Sequence, residues 1–178
     1  YGACYSARRR GDTDGLYWHR ITQFILPFFT MIAASDPAIV SARAWIPLDD
    51  HQNLQFVLRG RLDRPVTEEE RRQVRDPFKA WGGYVDGGSD PRRRFYTTAN
   101  LHNDYLLDYE LQRTELNLGI PFLGNLQDRA MAETMGPIYD RTQEHLGTTD
   151  AMVIFARKLL LDAARALRDH RAVPANVD

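Results

Sequence analysis

Between Leu16 and Phe24 apolar and polar side chains alternate, with Tyr17, His19, Ile21 and Gln23 falling on one face and Trp18, Arg20, Thr22 and Phe24 on the other. A period of two is the spacing of a β-strand, and Pro27 should end it or mark a sheet edge. A second β-rich run, Thr30 to Ala34, leads through the turn-forming pair Asp36-Pro37 into a third, Ile39 to Leu48. A fourth, Leu54 to Leu62, follows Asp49, Asp50, His51, Gln52 and Asn53, short polar residues suited to connecting antiparallel strands. The pattern predicts a meander of at least three strands, and the opening residues Tyr1 to Cys4 share the same strand-like mixture.

The next stretch, Asp63 to Asn100, is polar and rich in Pro and Gly. Thr67 and Glu70 have capping-box spacing, which predicts a short surface helix stopped at Asp76-Pro77. Gly82-Gly83, Gly87-Gly88 and Asp90-Pro91 mark an excursion with little regular structure, and Arg92, Arg93 and Arg94 read as solvated surface. From Asn103 the period becomes helical. Asn103 can cap a helix holding Tyr105, Leu106, Tyr109 and Gln112, after which Gly119 and Pro121 break the chain. Asn125 can cap the next helix, with Gly124 before it, Asp128 at its third position and Gly136-Pro137 as its stop. The last helix starts after Thr148 or Thr149 and carries Met152, Phe155, Leu159, Leu160, Ala163 and Leu167 opposite Lys158, Asp162, Arg165 and Asp169. Lys158 with Asp162, and Arg165 with Asp169, are expected ion pairs one turn apart. Strands first and helices after make an α+β domain, with helices laid across one face of an antiparallel sheet.

A chain of 178 residues, 43% of them hydrophobic, suffices for one domain burying roughly 70% of its unfolded surface in a single core. The 23 basic and 24 acidic residues leave a formal net charge of -1, so no global field draws nucleic acid or an anionic membrane. Cys4, the single cysteine, excludes an intrachain disulfide and any cluster needing two cysteines of this chain, which fits a cytoplasmic setting. The apolar runs near Ile25 and Ile154 are interrupted by Pro27 and by Arg157 and Lys158, so no membrane span or signal peptide is expected. The chain opens without methionine, and a fragment of a longer protein is expected.

The segment from Gln127 to Ile138 reads as a short helix carrying one inward carboxylate, Asp128. A mononuclear non-heme iron that activates oxygen needs two imidazoles and one carboxylate on one face of the metal. Asp128 could be that carboxylate, or could only favour the free amides and positive dipole end of its own helix. The five histidines, His19, His51, His102, His145 and His170, never fall three to five residues apart, so there is no local imidazole pair. Asp49, Asp50 and His51 are better explained by turn chemistry than by a metal. Cys4 has no nearby base, and no phosphate-binding loop or nucleophile elbow is present.

Three motifs add a resemblance. The run Asn103 to Gln112, the Gln127 to Ile138 segment, and Asp140 to Gly147 together resemble the catalytic domain of phthalate 4,5-dioxygenase-type Rieske oxygenases. The strand from Arg20 to Pro27 and the turn from Pro47 to Asp50 also look like that family, so the likeness covers nearly the whole chain. Departures at Leu101, His102, Tyr109 and Thr134 bear on the substrate more than on the iron.

The resemblance implies a helix-grip domain (Bet v1/START-like), in which a curved sheet and long C-terminal helix enclose an apolar pocket for an aromatic substrate. It places the iron carboxylate at Asp128. The two histidine ligands of the mononuclear Fe(II), and the whole [2Fe-2S] Rieske domain, are then expected upstream of Tyr1. It further implies an oxygenase component fed by a reductase, using O2 to hydroxylate or dealkylate an aromatic acid or aryl ether as a dioxygenase or monooxygenase. A homotrimer or homohexamer is implied too. Arg20 is a candidate partner for a substrate carboxylate, since a guanidinium meets two carboxylate oxygens at once; the alternative is an ordinary ion pair on the sheet. The competing function is a helix-grip domain that binds an apolar ligand without redox chemistry.

Overall fold

The computed structural model of the protein describes residues 2–76, 82–121 and 125–170. Pro77 and Gly124, the predicted stop and start of two helices, lie outside the described residues. Five strands, β1 (Gly2–Arg10), β2 (Tyr17–Ile25), β3 (Phe29–Ile32), β4 (Ile39–Pro47) and β5 (Asn53–Arg61), pair with their sequence neighbours in the order β1-β2-β3-β4-β5. Every pairing is antiparallel. The expected meander of at least three strands has five, with β2 ending before Pro27 and β3 shorter than the expected Thr30–Ala34 run.

Local chemistry explains the turns. The Asp36 carboxylate accepts the Ala38 amide at 2.9 Å, and the Asp49 carboxylate accepts the amides of His51 and Gln52, each at 2.8 Å. Asp49 is thus occupied by its own turn, as short polar side chains commonly are. Across β3 and β4 the Trp45 indole N–H donates to the Thr30 hydroxyl at 2.9 Å, which confirms that both side chains share a face. At the end of β5, Arg61 donates to Asp36 at 2.9 Å and to Asp63 at 2.8 Å, tying the start of β4 to the chain leaving the sheet.

Packing divides the protein into two compact units, residues 1–65 with 140–178, and residues 66–139. In the first unit Leu26 and Ala44 are buried, whereas Trp18 (60% exposed), Phe56 (50%) and Leu58 (58%) are open. The long helix Ala151–His170 packs against β1. This curved antiparallel sheet with its C-terminal helix is the expected α+β helix-grip arrangement.

The side of that helix nearest the protein carries Met152, Ala156, Leu159, Ala163 and Ala166, while Phe155, Leu160 and Leu167 are exposed. The inward stripe is thus turned from the predicted one toward the small residues, which permit close backbone approach. Lys158 pairs with Asp162 at 2.6 Å as expected. Arg165 does not take Asp169: it faces Asp162 at 3.6 Å one turn back, and Asp169 is held by the adjacent Arg168 at 2.6 Å. Near the start of the helix, Arg157 donates to the part-buried Glu144 at 2.8 Å and holds that carboxyl below its usual range.

In the second unit, α1 (Glu68–Arg75) opens on the predicted box: Thr67 N–H donates to Glu70 at 2.8 Å, and Glu70 N–H donates to the Thr67 hydroxyl at 3.2 Å. Arg93 and Arg94 are exposed as expected. The predicted helix capped by Asn103 is instead two elements. A 3₁₀ turn, Leu101–Leu106, is capped by Asn100, and α2 (Tyr109–Thr114) is capped by Asp108. The helix is interrupted because Asp104, Tyr105 and Leu106 all have positive φ, 50°, 56° and 62°. Then α3 (Leu126–Glu133) leads to Gly136 at φ 94°, and the long Ala151–His170 helix of the first unit is α4.

Gly119 sits at φ +64°, where a Cβ would lie 2.7 Å from the Asp108 carbonyl oxygen and 2.8 Å from Gln112 Cβ. Gly119→Ala is therefore expected to cost roughly 2 kcal/mol or more, read as a lowered midpoint of urea unfolding. Glu144→Gln should lower the melting temperature at neutral pH. Because the Glu144 carboxyl is depressed in the folded state, its contribution is present above its ordinary value of 4.5 and lost as pH falls. The gap between variant and parent should accordingly close on acidification below that value.

Candidate metal centre

Helix α3 carries two kinds of surface. Leu126 and Ala130, each 1% exposed, lie one turn apart and face the interior of the unit. Arg129 and Glu133 are also one turn apart and flank that buried stripe. Asp128 lies two residues from both Leu126 and Ala130, about 200° around the axis at 3.6 residues per turn, and is exposed. This corrects the expectation of an inward carboxylate: burial of Leu126 and Ala130 turns Asp128 outward. Among the described residues no hydrogen bond or ion pair engages its carboxylate, and Asn125 stands at the start of α3 with no side-chain capping bond to that helix. The helix-front alternative is therefore reduced to the dipole, worth about 0.3–1 kcal/mol at an exposed site.

The buried side of α3 meets the turn Leu101–Leu106. Tyr105, 2% exposed, donates its phenol proton to Glu133 Oε2 at 2.6 Å. The Arg129 guanidinium lies 5.9 Å from the Tyr105 ring centroid, donates through Nη2 to the Ala99 carbonyl, and holds Nε 3.6 Å from Glu133 Oε1. That Nε is buried and makes no hydrogen bond. Burial first, and the Glu133 hydrogen bond second, push the Tyr105 phenol well above its ordinary value. Burial pulls the Arg129 guanidinium down, against the opposing pull of Glu133. An arginine stays charged even so.

Around Tyr105 the backbone is pinned on several sides. Asn100 accepts the His102 amide on its side chain at 2.9 Å, Asn103 accepts the Asn100 amide at 2.9 Å, and Asn103 donates to the Thr98 carbonyl at 2.8 Å. Tyr105 N–H also donates to the Asn100 carbonyl at 3.0 Å. Three consecutive left-handed residues persist only where surrounding bonds over-determine them.

Arg20, on β2 opposite Ala7, is exposed and has no ion-pair partner among the described residues, so the simple surface pair does not form. His19 shares a 2.7 Å bond with the Ser6 hydroxyl, and His51, His102 and His145 are exposed. No three of the described His, Cys, Asp and Glu side chains converge as a metal site would require. Arg20 belongs to the first unit and Asp128 to the second, and the second unit adds Tyr105, Arg129 and Glu133, which sequence reasoning did not single out. Their one readable signal is the four-residue spacing of Arg129 and Glu133.

A family model described as "LigXa C-terminal domain like" matches residues 1–177. The chain belongs to this family. It is 31% identical over 192 residues to the 3-chlorobenzoate-3,4-dioxygenase oxygenase subunit of Comamonas testosteroni, covering 99% of this chain and 42% of that protein. It is 33% identical over 172 residues to the phthalate 4,5-dioxygenase oxygenase subunit of Pseudomonas putida, covering 94% and 37% respectively. The chain thus spans about two fifths of the length of these relatives. The motif likeness to catalytic domains of phthalate 4,5-dioxygenase-type oxygenases is borne out.

Whether this chain fits an iron is decided by its donors. Asp128 is accessible and uncommitted, which suits a metal ligand, but it is one donor where a facial triad needs three. The residues present therefore fit one corner of such a site.

The buried phenol makes a pH prediction. Since the Tyr105 phenol titrates higher in the folded protein than its ordinary 10.0, its contribution is present below that value and lost as pH rises above it. The melting temperature should fall as pH rises above about 10, and Tyr105→Phe should fall less steeply over the same range.

Proposed function

We propose that this chain is the carboxyl-terminal catalytic portion of an oxygenase component that adds oxygen to an aromatic acid or aryl ether, with Asp128 as the carboxylate ligand of a mononuclear Fe(II). Its two histidine ligands and the [2Fe-2S] Rieske cluster are supplied by the part of the protein upstream of Tyr1, and electrons come from a reductase component. The working unit is a homotrimer or a homohexamer. The observation that carries this reading is a likeness running over nearly the whole chain to two oxygenase subunits, including the segment that holds Asp128. The exposure of that carboxylate, and its lack of a partner among the described residues, support it.

When bound, the iron supplies oxygen activation, and this chain supplies placement. Asp128 contributes one anionic ligand. Arg20, a guanidinium without an ion pair among the described residues, is suited to the planar carboxylate of an aromatic acid, because two parallel N–H groups match its two oxygens.

In the full-length protein, Asp128→Ala should abolish turnover and mononuclear iron while leaving the absorption of the Rieske cluster intact. Iron analysis combined with oxygen consumption coupled to product checks this, and coupled turnover by the variant would refute the assignment.

A further inference from the structure

We propose that Tyr105, Arg129 and Glu133 form a positioning clamp that sets the rotation of α3 about its own axis and thereby aims the Asp128 carboxylate. The proposal rests on Asp128 being the iron ligand. None of the three is a catalytic residue, because each acts on the metal only through the helix that bears Asp128.

The geometry assigns the role. Leu126 and Ala130 define the inward side of α3, but they are smooth apolar contacts that tolerate a few degrees of roll. Directional bonds do not. Glu133 Oε2 receives the Tyr105 phenol at 2.6 Å, and Arg129 reaches from the same helix to the Ala99 carbonyl and to within 3.6 Å of Glu133 Oε1. The two clamped residues sit one helical turn apart on the same side of the helix, so a roll displaces both contacts together. Asp128 lies on the far side of the helix, where its carboxylate rides about 5 Å from the axis. A roll of about 10° then moves it by about 1 Å, twice the roughly 0.5 Å that a functional constellation tolerates.

The turn that supplies Tyr105 is itself expensive. Asp104, Tyr105 and Leu106 occupy left-handed backbone at φ 50°, 56° and 62°, which no glycine relieves. The strain is held by the Asn100–Asn103 side-chain bonds and by Tyr105 N–H on the Asn100 carbonyl. A buried Tyr could fill the same volume from a regular helix. What the left-handed turn adds is delivery of the phenol oxygen to Glu133. Strained backbone of this kind gathers where position matters to function. Outer-shell partners of metal ligands typically control affinity by about 10- to 100-fold.

The test uses the full-length protein, Fe(II) alone as probe, and cluster absorption as the measure of folded protein. Tyr105→Phe and Glu133→Ala should each weaken Fe(II) affinity by about tenfold or more, measured by chelator competition well below the melting transition. Glu133→Gln should stay within about threefold of the parent, since an amide oxygen accepts the same phenol proton. Thr67→Ala, which removes the cap of α1 in the same unit and touches none of the clamp residues, should lower the melting temperature but leave iron affinity unchanged. If Tyr105→Phe fails to fold, the Glu133→Ala and Glu133→Gln pair decides alone. Parent-like affinity in both disruptive variants, while Asp128→Ala loses iron, would overturn the clamp and leave the ligand assignment standing. Equal loss of affinity in Thr67→Ala would also overturn it, by reducing the effect to general instability. Iron retained by Asp128→Ala would overturn the ligand assignment, and the clamp with it.

Discussion

The hydrogen bond from the Tyr105 phenol to Glu133 is the constraint around which residues 66–139 are arranged. A phenol that is 2% exposed cannot be left without an acceptor, because an unsatisfied buried polar group costs about 1–3 kcal/mol. The acceptor is a carboxylate, so the bond is charge-assisted, and at 2.6 Å it has the length expected of one. The carboxylate in turn draws Arg129 to its other oxygen, and Arg129 spends a second donor on the Ala99 carbonyl. One tyrosine thus joins the turn before α2 to the end of α3. The buried apolar residues Ala99, Ile120, Leu126 and Ala130 fill in around that polar axis.

Residues 1–65 with 140–178 are organised differently. Their sheet rests on continuous backbone pairing between sequence neighbours, and few of its side chains are deeply buried. Period-two alternation reports such a sheet faithfully, since local pairing asks only that polar and apolar residues change sides in step. Strand positions, the Asp36 and Asp49 turns and the Thr67 cap were legible for that reason: each is settled by residues close together in sequence. The inward side of α4 was less legible. Large apolar residues mark a helix as amphipathic, but Ala156, Ala163 and Ala166 lie on the inner side while Phe155 and Leu167 stand outside. Close approach to β1 favours small side chains, which a hydrophobicity count overlooks.

The candidate site divides along the same line. The family likeness was readable from three motifs, and Asp128 from one of them. Its direction was not, because a helix of eight residues with buried Leu126 and Ala130 turns residue 128 away from its own core. The clamp was hidden for a further reason. Asp104 is a type that visits left-handed backbone, but Tyr105 and Leu106 are not, and nothing in their identities announces a run of three. That conformation is imposed by Asn100 and Asn103, whose side chains take over bonds that a continuous helix would have made with its own backbone. Propensity is overruled by side-chain hydrogen bonding, and the predicted helix breaks into a turn and α2.

Asp128 and Glu133 are the same chemistry put to opposite uses on one short helix. Glu133 is committed at both oxygens, to a phenol and toward a guanidinium, and a carboxylate so engaged has little capacity left for another cation. Asp128 has no such engagement among the described residues, even though it stands next to Arg129 in sequence. Adjacent residues on a helix diverge by about 100°, so the neighbouring guanidinium is turned inward to Tyr105 and Ala99 instead of shielding Asp128. Exchanging the roles would strand the phenol and bury an unpaired arginine. The division of labour therefore follows from helical geometry. The residue that holds the helix must lie on its inner side, and the residue free to meet a metal must lie on the other.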